Sequence, residues 1–209
     1  LIKKKTNLGK PIFGKISLRR DEVINFYPNM NKAKKILKWK PKIEFEKGIE
    51  LLDCEEEAIK TEAKALATQL HAPTPVIYSA AGFEGVAVRF RQQINENSKM
   101  LCWHHVIPEM NHNELLGWRI NTNNLSVVYF RNKCDHNRNQ VRIDINKEVI
   151  SKFTDNISEV WSKGNSRIEN SLYHIHLGDW VSWYLSEMNE VDAIEIDVIN
   201  FLKSSLAKL

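Results

Sequence analysis

One short segment of the chain gathers most of the side chains that could act as acids or bases. It runs from Arg91 to Trp118, "RQQINENSKMLCWHHVIPEMNHNELLGW", and mixes titratable groups with tryptophan and leucine. A soluble chain keeps such groups on its surface unless they are paired. The titratable residues of this segment are Glu96, Lys99, His104, His105, Glu109, His112 and Glu114.

The spacing favours acid–base chemistry at two of these positions. Glu96 comes near the end of a predicted helix, just before a predicted strand, and His112 opens the next predicted helix. Open α/β sheets place their sites at strand carboxyl ends, where we expect both groups. Burial there would raise the pKa of a carboxyl group and suit it as a general base, with an imidazole relaying a second proton. From pattern alone, however, helix caps and surface groups explain both residues better.

Other kinds of chemistry have less support. His104 and His105 are adjacent on a predicted strand and point to opposite faces, and His174 and His176 diverge on a predicted helix, so we predict no metal site. The serine motif G-x-S-x-G is absent, and no cysteine has the context of a nucleophile. The Gly-rich loops G-x-x-x-x-G-K-[ST] and G-x-G-x-x-G are absent as well, so we predict no nucleotide cofactor.

Composition indicates a soluble globular protein. Of 209 residues, 43% are hydrophobic and 27% are charged, and no apolar run approaches the about 20 residues of a membrane span. The first residues, "LIKKKTNLGKP", lack both the apolar core of a signal peptide and an initiating methionine, which suggests a fragment. Three widely spaced cysteines fit a reducing compartment. We therefore predict a cytoplasmic protein that does not bind a membrane.

Charge is distributed unevenly along the chain. Residues 1–48 hold 14 lysines and arginines against 4 acidic residues, whereas residues 49–209 hold 16 against 22. Such a change often marks a boundary between units, and we place it between residues 1–52 and 53–209. The lysines of the basic unit alternate with apolar residues at helical spacing, so we interpret them as a solvated face and predict no nucleic-acid partner.

The remaining pattern predicts an α/β fold, a mostly parallel sheet flanked by helices and preceded by a small helical amino-terminal segment. Strands are predicted at residues 75–78, 100–107, 125–130 and 157–161, with helices at 83–98, 113–117, 136–151, 166–188 and 196–207. A short helix is predicted at residues 32–38, and helical periodicity begins near Phe45. Whether one long helix or two cover residues 45–70 is left open by the pattern.

Three stretches together resemble the bifunctional phosphoglucose/phosphomannose isomerases, which are sugar-isomerase (SIS) domain proteins. They are "PVIYSAAGFEGVAVRFRQQINENSK", "PEMNHNELLGW" and "SLYHIHLGDWVSWYLSEMNEVDAIEIDVINFLKSSLA". The resemblance covers residues 58–209 and implies the carboxy-terminal half of such an enzyme. It implies isomerisation of glucose 6-phosphate or mannose 6-phosphate to fructose 6-phosphate through a cis-enediol, without a cofactor.

The resemblance also implies roles for particular residues. The general base of the family falls on Glu96, its ring-opening histidine on His112, and its late lysine, near the sugar ring and phosphate, on Lys203. A lysine charge beside phosphate would stabilise both the bound anion and a developing oxyanion. In related isomerases the histidine comes from the neighbouring subunit, which implies a homodimer. We add Arg89 and Lys99 as substrate-binding candidates; either Arg89 or Arg91 is expected to form a structural ion pair.

The sequence departs from the family pattern in two places. Asp192-Ala193-Ile194-Glu195 stands where many relatives have Asp-Pro-Thr-Pro, which weakens the inference of activity on the mannose epimer. The first SIS subdomain, with its phosphate-binding serines and threonines, is not visible upstream of residue 58. The alternative to an isomerase is therefore a catalytically incomplete fusion or remnant that binds carbohydrate derivatives or dimerises. Residues 8–52 instead resemble the carboxy-terminal tail of an extended short-chain dehydrogenase.

Overall fold

The structure is a computed structural model that describes residues 35–36, 45–120 and 124–208. Contacts divide the chain into one unit from Leu1 to Cys54 and another from Glu55 to Leu209. Residues 35–36 are helical, and the rest of the helix predicted at 32–38 lies outside the described residues. No helix among the described residues is both long enough and apolar enough to cross a membrane.

Helices and strands alternate along the described chain. The helices are α1 (Phe45–Leu70), α2 (Glu84–Asn97), α3 (Glu114–Gly117), α4 (Asn137–Ile150), α5 (Arg167–Met188) and α6 (Asp197–Leu206). The strands are β1 (Thr74–Ala80), β2 (Trp103–Ile107), β3 (Leu125–Arg131) and β4 (Ile157–Trp161). Short 3-10 turns cover Ala81–Phe83, Glu109–His112 and Trp118–Ile120.

The four strands form one parallel sheet in the order β2-β1-β3-β4. The chain crosses from β1 to β2 in one direction and from β3 to β4 in the other. Because such crossovers are right-handed, α2 and α4 cover opposite faces of the sheet. The predicted mostly parallel α/β fold is therefore confirmed.

The two central strands are buried on both faces, as parallel strands usually are. Their sequences, "TPVIYSA" and "LSVVYFR", are almost continuous runs of β-branched and aromatic residues. On one face the core contains Tyr78, Tyr129, Met110 and Trp118. On the other face Phe90 of α2 packs against Phe130, with 5.2 Å between ring centroids. Trp118 is buried, with 4% of its surface accessible.

Two details of the predicted elements are resolved by the structure. Residues 45–70 form one continuous helix, with Ile59, Ala63, Leu66 and Leu70 buried at helical spacing. Strand β2 begins at residue 103 rather than at residue 100, because the residues before it hydrogen-bond with the end of α2. The Met100 N–H donates to the Ile94 carbonyl, and the Met100 carbonyl accepts from the Asn95 side chain at 2.7 Å.

The packing of α2 against α5 leads to a prediction about Gly178. A Cβ atom at this position would lie 2.6 Å from Cδ2 of Phe90, in a buried contact. We expect Gly178→Ala to lower the free energy of unfolding by about 1–3 kcal/mol, because overpacking outweighs the higher helix propensity of alanine. Urea denaturation measures the change. Gly85→Ala in α2 is the control, since no atom lies within 4 Å of its added Cβ; we expect a gain of about 0.5–1 kcal/mol there. Equal effects of the two substitutions would contradict this account.

Candidate active site

A cavity lies where the end of α2 meets the start of α6. Its volume is about 170 Å³, and its lining residues are Asn95, Glu96, Lys99, Glu195, Ile196, Val198 and Ile199. The Glu96 carboxylate therefore faces an apolar wall formed by the first turn of α6. In the single chain Glu96 remains exposed, so the enclosure expected from the sequence is not provided by this chain alone.

Lys99 links the two sides of this cavity by hydrogen bonds. Its Nζ donates to the Glu96 carbonyl at 2.7 Å and to the Glu195 carbonyl at 2.6 Å, joining segments 96 residues apart. Its backbone has a φ of 56°, a left-handed conformation that costs a residue other than glycine about 1–2 kcal/mol. Lys99 therefore has a structural role beside the cavity. Its contact with substrate stays a prediction.

Lys203 lies on the same helix that forms the apolar wall. It follows Ile199 by four residues, so it occupies the same face of α6 one turn further on. Lys203 is exposed and is not among the residues that line the cavity. The fold thus brings Glu96 and the Lys203 helix into one region of the molecule.

Arg89 is engaged at a different place. Its guanidinium donates to Asp179 of α5 at 3.1 Å, and Gln93 donates to the same carboxylate at 2.8 Å. This confirms the structural ion pair expected at Arg89 or Arg91. Both partners are partly exposed, with 47% and 37% of their side chains accessible, so the pair contributes little to stability. A substrate role for Arg89 stays a prediction.

His112 lies at the opposite edge of the sheet from Glu96. It ends the 3-10 turn that follows β2, whereas Glu96 belongs to the end of α2 that precedes β2. Because β2 separates them, the two positions are about 16 Å apart along the strand direction. The expectation that both lie at strand carboxyl ends is wrong for Glu96, because α2 returns antiparallel to the strands. A single chain does not bring the two groups together.

The His112 imidazole is exposed, and it makes no hydrogen bond with any residue that the structure describes. Two residues later, the Glu114 carboxylate accepts hydrogen bonds on both oxygens. Tyr78 donates to Oε1 at 2.7 Å, Trp103 Nε1 donates to Oε1 at 3.0 Å, and His105 Nδ1 lies 2.7 Å from Oε2. Hydrogen bonds to a charged group contribute about 1.5–3 kcal/mol each, so this cluster is a strong anchor.

The Glu114 cluster was not predicted from the sequence, although one signal for it was available. Trp103 and His105 are two apart on a strand and share a face, and Tyr78 is the register partner of His105 on the neighbouring strand. Burial raises the pKa of the Tyr78 phenol well above its usual value, and the Glu114 carboxylate raises it further. The phenol therefore stays protonated and acts as a donor.

The remaining histidines and cysteines do not assemble a further site within the described chain. His105 faces Glu114, while the His104 side chain points to the other sheet face, where burial and Arg91 lower its pKa, so their predicted divergence is confirmed. His174 is buried, and His176 pairs with Glu56 at 2.5 Å. No group of three potential metal ligands occurs among the described residues. Burial raises the pKa of the Cys102 thiol to about 12, so it stays protonated at neutral pH.

A larger groove of about 440 Å³ runs beside α1 and Tyr184 of α5. One of its two lysines, Lys60, is already paired with Glu56 and Glu57 at 3.3 and 3.0 Å. The groove contains no histidine and offers no acid–base pair that is free for chemistry. The smaller cavity at Glu96 is therefore the better candidate for an active site.

The described chain is thus a parallel α/β sandwich with helices on both faces of the sheet and a cavity lined by Glu96. Residues 59–206 match the family model described as "Bacterial phospho-glucose isomerase C-terminal SIS domain". The match covers more than half of the chain, so the chain belongs to this family. The predicted membership in the SIS-domain isomerases is confirmed.

Relatives named "Bifunctional phosphoglucose/phosphomannose isomerase" support the family assignment. The one from Aquifex aeolicus is 35% identical over 155 residues, which cover 73% of this chain and 48% of the relative. The one from Caldicellulosiruptor bescii is 36% identical over 154 residues, covering 72% and 45%. The chain thus spans about half the length of these relatives.

Solved structures agree on the fold. A glucose-6-phosphate isomerase like protein from Thermus thermophilus superposes with a TM-score of 0.57 at 21% identity, covering 70% of this chain and 50% of that one. The family match begins at residue 59, and none of these findings supports the predicted likeness of residues 8–52 to a dehydrogenase tail. Most of those residues also lie outside the described structure.

The buried His174 leads to a prediction about pH. Burial lowers its pKa to about 3, whereas an unfolded histidine titrates near 6.5. Between these values the unfolded state binds more protons, so the free energy of unfolding falls as pH drops, by up to about 1.4 kcal/mol per pH unit.

Urea denaturation of the wild type and of His174→Gln at about pH 7.5 and about pH 5 tests this prediction. We expect the wild type to lose about 2 kcal/mol more than the variant over this interval, because glutamine does not titrate. Equal losses in the two proteins would contradict a neutral, buried His174. The other titrating groups are common to both proteins and cancel in the comparison.

Proposed function

We propose that this chain acts as the carboxy-terminal half of an isomerase that interconverts aldose and ketose forms of hexose 6-phosphates. The substrates would be glucose 6-phosphate or mannose 6-phosphate, and fructose 6-phosphate. The observation that carries the proposal is the cavity in which the Glu96 carboxylate faces the helix that bears Lys203. Family membership and the names of the relatives support the same reaction class.

Each of the three residues has a distinct role in this proposal. Glu96 removes a proton from C2 of the open-chain aldose and returns it to C1 through a cis-enediol. His112 transfers the protons that open the sugar ring. The Lys203 ammonium stabilises negative charge on the phosphate or on the enediol oxygen. This chemistry needs no cofactor and no metal, because carbon oxidation levels change only within the sugar.

A second copy of the chain is part of the proposal. The cavity of about 170 Å³ is smaller than the about 300–1,000 Å³ usual for ligand pockets, so this chain supplies only part of a complete site. Glu96 and His112 lie at opposite edges of the sheet in one copy. A homodimer with a twofold axis would set the His112 of one copy opposite the Glu96 of its partner.

The alternative function is that of a module without turnover. The matches cover 48% and 45% of the two bacterial relatives and do not extend over the remaining parts of those proteins. A chain without those parts would bind carbohydrate derivatives or dimerise without turnover.

We further propose a cytoplasmic location, for the reasons of composition given above.

A coupled assay on the purified protein distinguishes the two functions. The chain is assayed alone and mixed with the amino-terminal half of the Aquifex aeolicus relative, and glucose 6-phosphate formed from fructose 6-phosphate is measured. We expect turnover that Glu96→Gln lowers at least about 100-fold, since a general base contributes about 10²–10⁴-fold. Arg119→Gln is a matched control at an exposed position, and it should leave the rate unchanged.

The outcomes separate clearly. Absence of turnover in both samples would favour the non-catalytic module, and equal rates for wild type and Glu96→Gln would remove Glu96 from the mechanism.

The twofold arrangement has its own test, in which inactive Glu96→Gln and His112→Asn chains are mixed. Shared sites would restore up to about a quarter of the wild-type rate, because about half of the dimers are mixed and one of the two sites in a mixed dimer carries both native residues. No recovery would contradict sharing between copies.

We also propose that residues 1–52 are a separate unit from residues 53–209. Of the six described buried apolar residues of α1, the five from Ile59 to Leu70 follow this boundary, and only Ile49 precedes it. A chain that begins at Asp53 should therefore keep a cooperative thermal transition, with a Tm within about 2–4 °C of the full chain, equivalent to about 1 kcal/mol. Circular dichroism measures the transition. A loss of cooperative unfolding would contradict the boundary.

A further inference from the structure

We propose that Glu114 is a positioning residue that holds His112 in the orientation needed for catalysis. The inference rests on the proposed function, since it concerns the residue to which that function gives the ring-opening role. It adds a further residue to the site, one that acts through the backbone of its own segment and touches no substrate.

The residues that hold the Glu114 carboxylate lie on two neighbouring strands of the sheet. Tyr78 is on β1, while Trp103 and His105 are on the edge strand β2, and all three side chains share one sheet face. They converge on the Glu114 carboxylate at 2.7, 3.0 and 2.7 Å. We call Tyr78, Trp103 and His105 the carboxylate socket. Only 24% of the Glu114 side chain is accessible, so solvent competes weakly for these contacts.

A second layer of bonds makes the socket rigid. Trp118 Nε1 donates to the Tyr78 hydroxyl at 3.0 Å, so the phenol is held between Trp118 and Glu114. Trp118 is itself buried in the core, at the end of the same segment. The chain from Glu114 to Trp118 is thereby fixed to β1 at both its ends.

The residues on either side of His112 are also fixed. The Met110 side chain is fully buried in the core, and the Asn111 amide donates to Asn146 of α4 at 2.5 Å. On the other side, the Asn113 side chain accepts from the Glu114 N–H at 2.5 Å. His112 and Asn113 are thus exposed residues between two anchors, one in the core beneath Met110 and the other in the socket.

This arrangement explains how an exposed imidazole can be ordered. A side chain at the tip of a turn normally samples many orientations, and a misplacement of about 1 Å in a reacting group can cost about 100-fold in rate. With both flanking backbone segments held, the backbone of His112 has little freedom, and its exposed side chain stays accessible to a second copy.

The test measures the backbone order of His112, on which Glu114 is proposed to act, and it does not depend on turnover. Backbone ¹⁵N relaxation of the full chain gives the order parameter of the His112 amide. We expect about 0.85 in the wild type and below about 0.6 in Glu114→Ala, where the socket has lost its carboxylate. Glu114→Gln keeps one acceptor oxygen for Tyr78 and Trp103, and its order parameter should lie between the two. It also provides a folded variant if Glu114→Ala unfolds.

Two controls separate positioning from stability and from catalysis. Gly178→Ala destabilises the opposite sheet face, and it should leave the His112 order parameter at the wild-type value. Glu96→Gln should abolish turnover in the coupled assay but leave the order of His112 unchanged. If the proposed function fails, His112 order will still depend on Glu114; if the positioning inference fails, turnover will still depend on Glu96.

Kinetics give a second readout wherever turnover is measured. We expect Glu114→Gln to lower kcat by at least about tenfold, with KM changed less than about twofold, because the substrate's binding contacts remain. The inference is overturned if His112 keeps wild-type order in both Glu114 variants, or if Gly178→Ala reduces that order as much as Glu114→Ala does.

Discussion

The parallel pairing of β1 with β2 determines where the chemistry of this chain can lie. Two parallel neighbours need a crossover that returns the whole length of the sheet, and α2 provides it. Its last turn must therefore lie at the edge where β2 begins, and the turn after β2 must lie at the other edge. Glu96 and His112 are close in sequence because a single strand joins them, and they are distant in space for the same reason.

Because of this constraint, the candidate functional residues lie at both edges of the sheet rather than at one. The amino-terminal edge of β2 has the carboxylate, the Lys99 contacts and the apolar wall of α6. The carboxyl edge has the imidazole and the Glu114 anchor. In the proposed homodimer, a site that uses both groups would be assembled from two copies, and each copy would take part in two equivalent sites. Dimerisation would in this way be a requirement of topology rather than an addition to a finished active site.

Local patterns predicted the elements well because burial and periodicity are local properties. Strands β1 and β3 are buried on both faces and appear in the sequence as apolar runs, and α5 begins where Ser166 caps the N–H of Glu169. The beginning of β2 was placed three residues too early, since "MLC" is as apolar as a strand while its backbone pairs with α2. Residue types alone do not reveal that competition.

The site was predicted less completely because it depends on contacts between distant parts of the chain. Lys99 was expected only as a substrate-binding candidate, and its bond to the Glu195 carbonyl depends on how α6 packs. The exposure of Glu96 follows from the path of α2, which the titratable pattern does not encode. The proposed roles of Glu96, His112 and Lys203 came from the family resemblance.

The exposed apolar side of α6 affects the stability of one wall of the Glu96 cavity. Val198 and Phe201 are 81% and 73% accessible, and the helix has only ten residues, fewer than the about 12–15 that a free helix needs to persist in water. One wall of the Glu96 cavity thus belongs to the stable sheet layer, and the other has a low local free energy of opening. A ligand that contacts both walls would stabilise this helix, and part of its binding free energy would be used to order it. Ligand affinity and folding of the terminal helix would therefore be linked.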